Sequence, residues 1–201
     1  MTTRAAARAA LRGRLEDAAG AAALWPDAIL DEAIGDGVRG YGLRRPKEAA
    51  LAVAAAAGST RIGLPANAVD PARVVRVLDP RGEIVPPWSL HEPTGEAGQG
   101  WRVFADGLLL AEPARAGTWT IEHRTGRTPP ADDAGFLDVL PGDEPTVLAL
   151  ATAAALARRA TEAAKRGDRQ TADACARLAD AARGEADRLL GGRRRARTTT
   201  T

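Results

Sequence analysis

The residues with the chemistry to act on a substrate are few, and their spacing does not bring them together. His91 and His123 are the two histidines of the 201-residue chain. One reads as a loop residue and the other as a strand-surface residue, and neither has a Cys or His partner at metal-ligand spacing. The acid pairs Asp132-Asp133 and Asp143-Glu144 have the composition of a general acid–base pair or a metal site. The first lies in a Pro/Gly-rich stretch and the second at a helix start, where turns and caps use the same residues. Gly95-Glu96-Ala97-Gly98-Gln99-Gly100 contains a Gly-x-Gly, but it has no strand before it, no helix after it and no Lys-Ser/Thr ending. Ser59 and Ser89 stand outside any nucleophile elbow. Cys175 is the single cysteine; it excludes an internal disulfide, and its apolar neighbours mark a small buried residue rather than a reactive thiol. The expectation is therefore a protein without catalytic residues, metal or cofactor.

The basic residues carry more information. Lys and Arg total 28 against 26 Asp and Glu, a net charge of +2 with a pI near 9.2. Lys47 and Lys165 are the only lysines. Such arginine usage reflects a GC-rich genome, so its distribution matters more than its amount. Arg4, Arg8, Arg12 and Arg14 border an apolar helix face and read as solvated side chains whose stems cover the seam. Arg193, Arg194, Arg195 and Arg197 are concentrated beyond Gly191-Gly192. They form either a solubilising tail or a docking segment for an acidic protein surface or DNA phosphates. No aromatics interleave them, so they offer no stacking platform for single strands.

Positioning these residues falls to a thin core. Apolar residues make up 45% of the chain but aromatics only 3%. Alanine supplies much of the apolar fraction and buries little area, which favours close helix packing or help from neighbouring subunits. No apolar run reaches membrane-spanning length, and residues 1–17 are charged throughout, unlike a secretory leader. The expectation is a protein kept inside a cell or built into a particle there.

The periodicity predicts an α+β chain with a helical bundle, from 1–45 and 143–191, around a β-rich insert over 46–142, and a flexible basic tail over 192–201. A first helix over 3–17 buries Ala7, Leu11, Leu15 and Ala18. A second opens at Trp25-Pro26-Asp27 and buries Leu30, Ala33, Ile34, Val38 and Tyr41. The insert reads as a hairpin over 49–65 (its first half alternatively a short helix), a strand over 73–78, a hairpin turning at Ala105-Asp106-Gly107 and a strand over 118–123. An extended crossing loop over 126–142 leads to an antiparallel helix pair that turns at Gly167. The last helix carries Cys175, Leu178, Ala179, Ala182, Ala186 and Leu189 on one side.

The order of Leu24-Trp25-Pro26-Asp27-Ala28-Ile29-Leu30, Ile62-Gly63-Leu64-Pro65, Val74-Val75-Arg76-Val77, Trp101-Arg102-Val103-Phe104, Thr118-Trp119-Thr120-Ile121-Glu122-His123 and the Leu148–Ala157 helix resembles the head–tail connector (adaptor) proteins of tailed bacteriophages and phage-like gene-transfer particles. The resemblance covers most of the chain and rests on order and texture rather than on catalytic residues. It implies a virion structural protein of the neck, assembled in the host cytoplasm as a dodecameric homo-oligomeric ring. Such a ring docks on a portal protein, presents a surface to a downstream neck or tail protein, and passes DNA through its channel without sequence-specific binding. Two other readings remain open: a small basic nucleic-acid-binding protein, or another neck or tail-completion component.

Overall fold

A computed structural model describes residues 1–17, 20, 23–65, 71–88 and 100–198, with the backbone alone for 71 and 192–198. The chain is α+β and divides into two compact units, Met1–Arg45 with Gly126–Thr201, and Pro46–Thr125.

The first unit contains α1 (Arg4–Arg14), α2 (Asp27–Arg44), α3 (Glu144–Lys165) and α4 (Arg169–Thr198). Thr3 caps α1 by accepting the Ala6 N–H, and Ala7 and Leu11 are fully buried beneath the helix. It stops three residues short of the expected end, because Glu16 adopts φ 52°, a left-handed conformation no helix continues through. Ala18 lies outside the described residues. In α2 the predicted face is the buried one: Leu30, Ala33, Ile34, Val38 and Tyr41. Gly37 brings α2 against the backbone of α3, where an added Cβ would stand 2.7 Å from the Val147 carbonyl oxygen. A side chain there would force the helices apart.

Helix α3 is buried on nearly every side along its first half, from Thr146 to Leu156, so it forms the centre of this unit. Gly167, at φ 81°, ends the turn after it, and Asp168 accepts the Thr171 N–H to start α4. Cys175, Ala179, Ala182 and Ala186 then line the buried seam. Leu178 does not share it and is 57% exposed. The seam follows i, i+4, i+7 and i+11, and Leu178 falls just outside that stripe. The α4 backbone stays helical through Gly191-Gly192 to Thr198, where the sequence predicts a flexible tail. Interior glycines cost a helix only about 1 kcal/mol each, and no proline follows them.

The segment 126–142 belongs with the helices rather than with the insert. Leu137 and Val139 pack into the helical core. Its backbone bonds the chain's start, Leu137 N–H to Thr2 O at 2.9 Å and Arg4 N–H to Gly135 O at 2.9 Å. Apolar residues and backbone partners both draw this loop toward α1, which its Pro/Gly content alone does not reveal.

The second unit holds β1 (Lys47–Ala55), β2 (Arg61–Gly63), β3 (Val74–Leu78), β4 (Ile84–Val85), β5 (Trp101–Phe104), β6 (Gly107–Leu110) and β7 (Gly117–Thr125). They form a four-stranded sheet in the order β1-β7-β3-β4 and a three-stranded sheet in the order β2-β6-β5. The predicted β5–β6 hairpin is present, its Ala105 at φ 51°. The predicted hairpin over 49–65 is not. Its halves join different sheets, β1 pairing with β7 and β2 with β6. The first half is strand, despite its alanines, because nine consecutive residues pair along β7, a tertiary gain that overrides helix propensity. Ile62, Val77, Trp101, Leu108, Trp119 and Ile121 form the shared core of the two sheets.

Candidate assembly surfaces and internal ties

Most of the charged residues the sequence singles out are bound internally. Arg8 grips Asp31 with two parallel bonds, Nε to Oδ1 at 2.7 Å and Nη2 to Oδ2 at 2.8 Å, and reaches Asp133 Oδ1 at 2.6 Å. Arg4 reaches the same Asp133 oxygen at 2.8 Å. Arg12 pairs with Asp17 and Asp27 and donates to the Trp25 carbonyl at 2.9 Å. Arg14 meets Glu185 on α4 at 3.1 Å. These bonds tie α1 to α2, to the 126–142 segment and to α4. The flanking arginines are thus not simply solvated, as their helical spacing suggests. Charge-assisted, partly bidentate pairs have claimed them. Arg8 first and Arg4 second hold the Asp133 carboxyl below its ordinary pKa, and Asp31 and Asp133 raise that of Arg8 further.

The acid pairs separate in role. Asp132 accepts the Gly135 N–H at 2.7 Å, the turn chemistry expected of it, whereas Asp133 is the ion-pair partner just described. Asp143 occupies the N-cap position of α3 but makes no side-chain cap bond. Its carboxylate instead accepts the Tyr41 hydroxyl at 2.6 Å, in a buried setting. Arg127 stacks over the Tyr41 ring at 5.0 Å and donates to the Arg45 carbonyl at 2.7 Å and to Asp138 Oδ1 at 3.2 Å. Burial first, then the bond to Asp143, pushes the Tyr41 phenol up to about 12. This cluster locks the end of α2, the 126–142 segment and the start of α3. Sequence reasoning places Tyr41 on the buried face but carries no signal for its acid partner.

His123 is buried, not on the strand surface. It shares the inner face of β7 with Trp119 and Ile121, and β7 is flanked on both sides by β1 and β3. The period-two spacing carries that signal. Its Nδ1 lies 3.4 Å from the Ile121 carbonyl oxygen. A concavity of about 580 Å³ opens beside it, lined by Val75, Ile84, Val85 and Trp101 together with the Arg76–Glu122 ion pair at 2.6 Å. Glu48 and Glu122 also line this concavity, and Glu122 is taken up by Arg76. Among the described residues, no group of three His, Cys, Asp or Glu side chains comes together to hold a metal ion. Cys175 is buried in the α4 seam. His91, Ser89 and residues 95–99 of the glycine-rich stretch lie outside the described residues.

Arg193, Arg194, Arg195 and Arg197 stand on the last turns of the α4 backbone. Residues 193 and 197 are four positions apart, one helical turn. Among the described residues, no helix is long and apolar enough to cross a membrane.

The β-rich unit also carries a surface that the sequence does not announce. On the outer side of the four-stranded sheet, β1 exposes Ala50, Ala52 and Ala54, and β4 exposes Ile84. Across the register these alanines stand beside Glu122, Thr120 and Thr118 of β7, so a row of small side chains lies next to the polar outer row usual for an antiparallel sheet. No protein-family model matches the chain, and no curated protein matches it.

Proposed function

We propose that the protein is a non-enzymatic structural component of a tailed phage or phage-like particle, a head–tail connector that assembles as a homo-oligomeric ring on a portal. One observation carries the reading. Both ends of the chain build a single helical unit, and a β-rich unit is inserted between α2 and the segment leading to α3. The element order is the one on which the resemblance to connector proteins rests. The alanine-lined pairing of α3 and α4, with Cys175, Ala179 and Ala182 buried, adds long helical sides able to repeat head to tail around a cycle. On this reading the four arginines near the end of α4 add contacts to an acidic surface of the portal and speed encounter more than they set affinity.

The nucleic-acid reading draws on two basic features, and the arginines of α1 no longer serve it. All four are engaged by acids of the same chain.

The test is direct mixing of the purified chain with isolated portal rings, followed by sedimentation and electron microscopy. A ring of the protein stacked on the portal is the expected result. Failure to bind any portal of the particle that encodes the protein would overturn the reading. A chain ending at Leu190 should keep its fold and bind the portal more weakly. Attachment at wild-type affinity would remove the arginines from the mechanism. Salt-dependent DNA binding by the isolated chain, lost on deleting 193–201, would favour the nucleic-acid reading instead.

A further inference from the structure

Helix α1 is held differently from the helices it packs against. Only Ala7 and Leu11 of its 11 residues are buried, whereas α2 buries eight of 18 and α3 ten of 22. Leu15, just past its end, is half-buried against the same core. Four of the 11 residues are arginines and none is acidic. Arg4, Arg8 and Arg12 stand four positions apart, in a row beside that of Ala7, Leu11 and Leu15. Acids from three other elements face these arginines: Asp27 and Asp31 of α2, Asp133 of the 126–142 segment and Glu185 of α4. Arg14 meets both oxygens of Glu185, Nη2 to Oε1 at 3.1 Å and Nη1 to Oε2 at 3.2 Å. Arg12 also pairs with Asp17, beyond the helix end. The side chains of Asp27, Asp133 and Glu185 are 60%, 56% and 40% exposed. Dissolved ions therefore reach most of these pairs and screen them.

Away from these acids, α1 has little to keep it helical. A helix this short does not persist alone in water, and arginines one turn apart repel each other. Backbone bonds to residues 133–137 hold only its beginning: Thr2 O accepts from Leu137, and the Arg4 and Ala5 N–H groups donate to Gly135 O and Asp133 O. Helices α2 and α3 are joined instead by buried apolar faces and by the buried Tyr41–Asp143 bond, where salt has little access. We propose that α1 is an electrostatic latch, a strap over the apolar seat of Ala7 and Leu11 that opens as a unit when ionic strength rises, while α2, α3 and α4 stay packed. Glu16 and Gly20, both at positive φ, set the strap off from α2 with backbone that no helix continues through, so its release leaves α2 wound. Opening bares the seat and frees four arginines together; closing covers the one and pairs the others. This is local opening of a low-stability element, and it stands independently of the connector reading.

Hydrogen exchange on the full chain, without portal, tests this. Raising NaCl from about 0.05 M to about 1 M shrinks the screening length severalfold. The amides of residues 8–15 should then exchange about tenfold faster, the combined effect of several screened pairs, while those of residues 149–156 in α3 keep their rates. The double variant Asp133→Asn/Glu185→Gln removes two of the facing acids without touching α1 or α2. It should show fast exchange over 8–15 already at low salt, with a smaller further response to NaCl. Unchanged protection of 8–15 in the wild type at high salt would overturn the proposal, and so would equal acceleration of α1 and α3. A double variant that exchanges like the wild type at both salt concentrations would overturn it too. Portal binding is a separate measurement, so a salt-opened strap in a chain that ignores portals would sink the connector reading and leave this one standing.

Discussion

The Tyr41 hydroxyl donates to the Asp143 carboxylate at 2.6 Å across 102 positions of sequence, joining the last turns of α2 to the first residue of the α3 cap. The phenol is fully buried, and Arg127 covers its ring. The neutral phenol is the form this site favours. Burial and the adjacent carboxylate both oppose its ionisation, and its pKa rises to about 12 from an ordinary value of about 10.

Because Tyr41 is the only tyrosine, the phenolate absorbance band reports it alone. Titration of the folded protein should show no ionisation at pH 10 and a midpoint near 12. The folded pKa lies above the unfolded one, so its contribution to stability is complete below about pH 10 and is lost as pH rises through 12. Replacing the residue, Tyr41→Phe, removes the hydroxyl and should destabilise by about 1–3 kcal/mol in a denaturant melt, while abolishing the absorbance change.

Two glycines of α2 should respond oppositely to the same substitution. At Gly37 a methyl group would meet the Val147 carbonyl oxygen at 2.7 Å and the Ala151 nitrogen at 3.1 Å, both backbone atoms that cannot step aside. Gly37→Ala should cost about 1–3 kcal/mol. At Gly40 the nearest atom is Leu150 Cδ1 at 3.7 Å, an ordinary contact. Gly40→Ala should stabilise by up to about 1 kcal/mol through helix propensity. Paired thermal melts check both, and equal effects would show that α2 and α3 are farther apart than described.

Asp133 links Arg4 and Arg8, and those arginines lower its pKa. Its contribution is present above the unfolded value of about 3.9 and is lost as pH falls through the lower folded value. Asp133→Asn should lower the melting temperature at pH 7 and flatten its dependence on pH below 4. High salt should narrow the gap between the two proteins, since the aspartate is exposed to solvent.

The α4 seam gives a neighbouring pair with opposite outcomes. Ala179 is 1% exposed, so Ala179→Phe overpacks the contact with α3 and should cost about 1–3 kcal/mol. Leu178, on the open side, can become alanine within about 0.5 kcal/mol. Denaturant midpoints for the two variants distinguish this register from one rotated by a residue.

Local pattern determined much of this protein from sequence alone. The buried faces of α2 and of the Cys175–Ala186 seam follow from 3.6-residue spacing, the β5–β6 turn from its Asp-Gly pair, and the alternating faces of β7 from period two. These features depend on neighbours a few residues away, so a single chain segment encodes them. The inward side of His123 was legible in the same way, in phase with Trp119 and Ile121. Tertiary structure decided the partners. A strand's sequence states which face is apolar but not which strand supplies its hydrogen bonds, so β1 joins β7 rather than β2. An arginine beside an apolar stripe looks the same whether water or an acid from another element meets it. Only the fold brings Asp31, Asp133 and Glu185 to α1. Asp143 looks like a cap until folding delivers a buried phenol to it. Pairings across a hundred residues depend on how whole elements pack, and no local spacing records that.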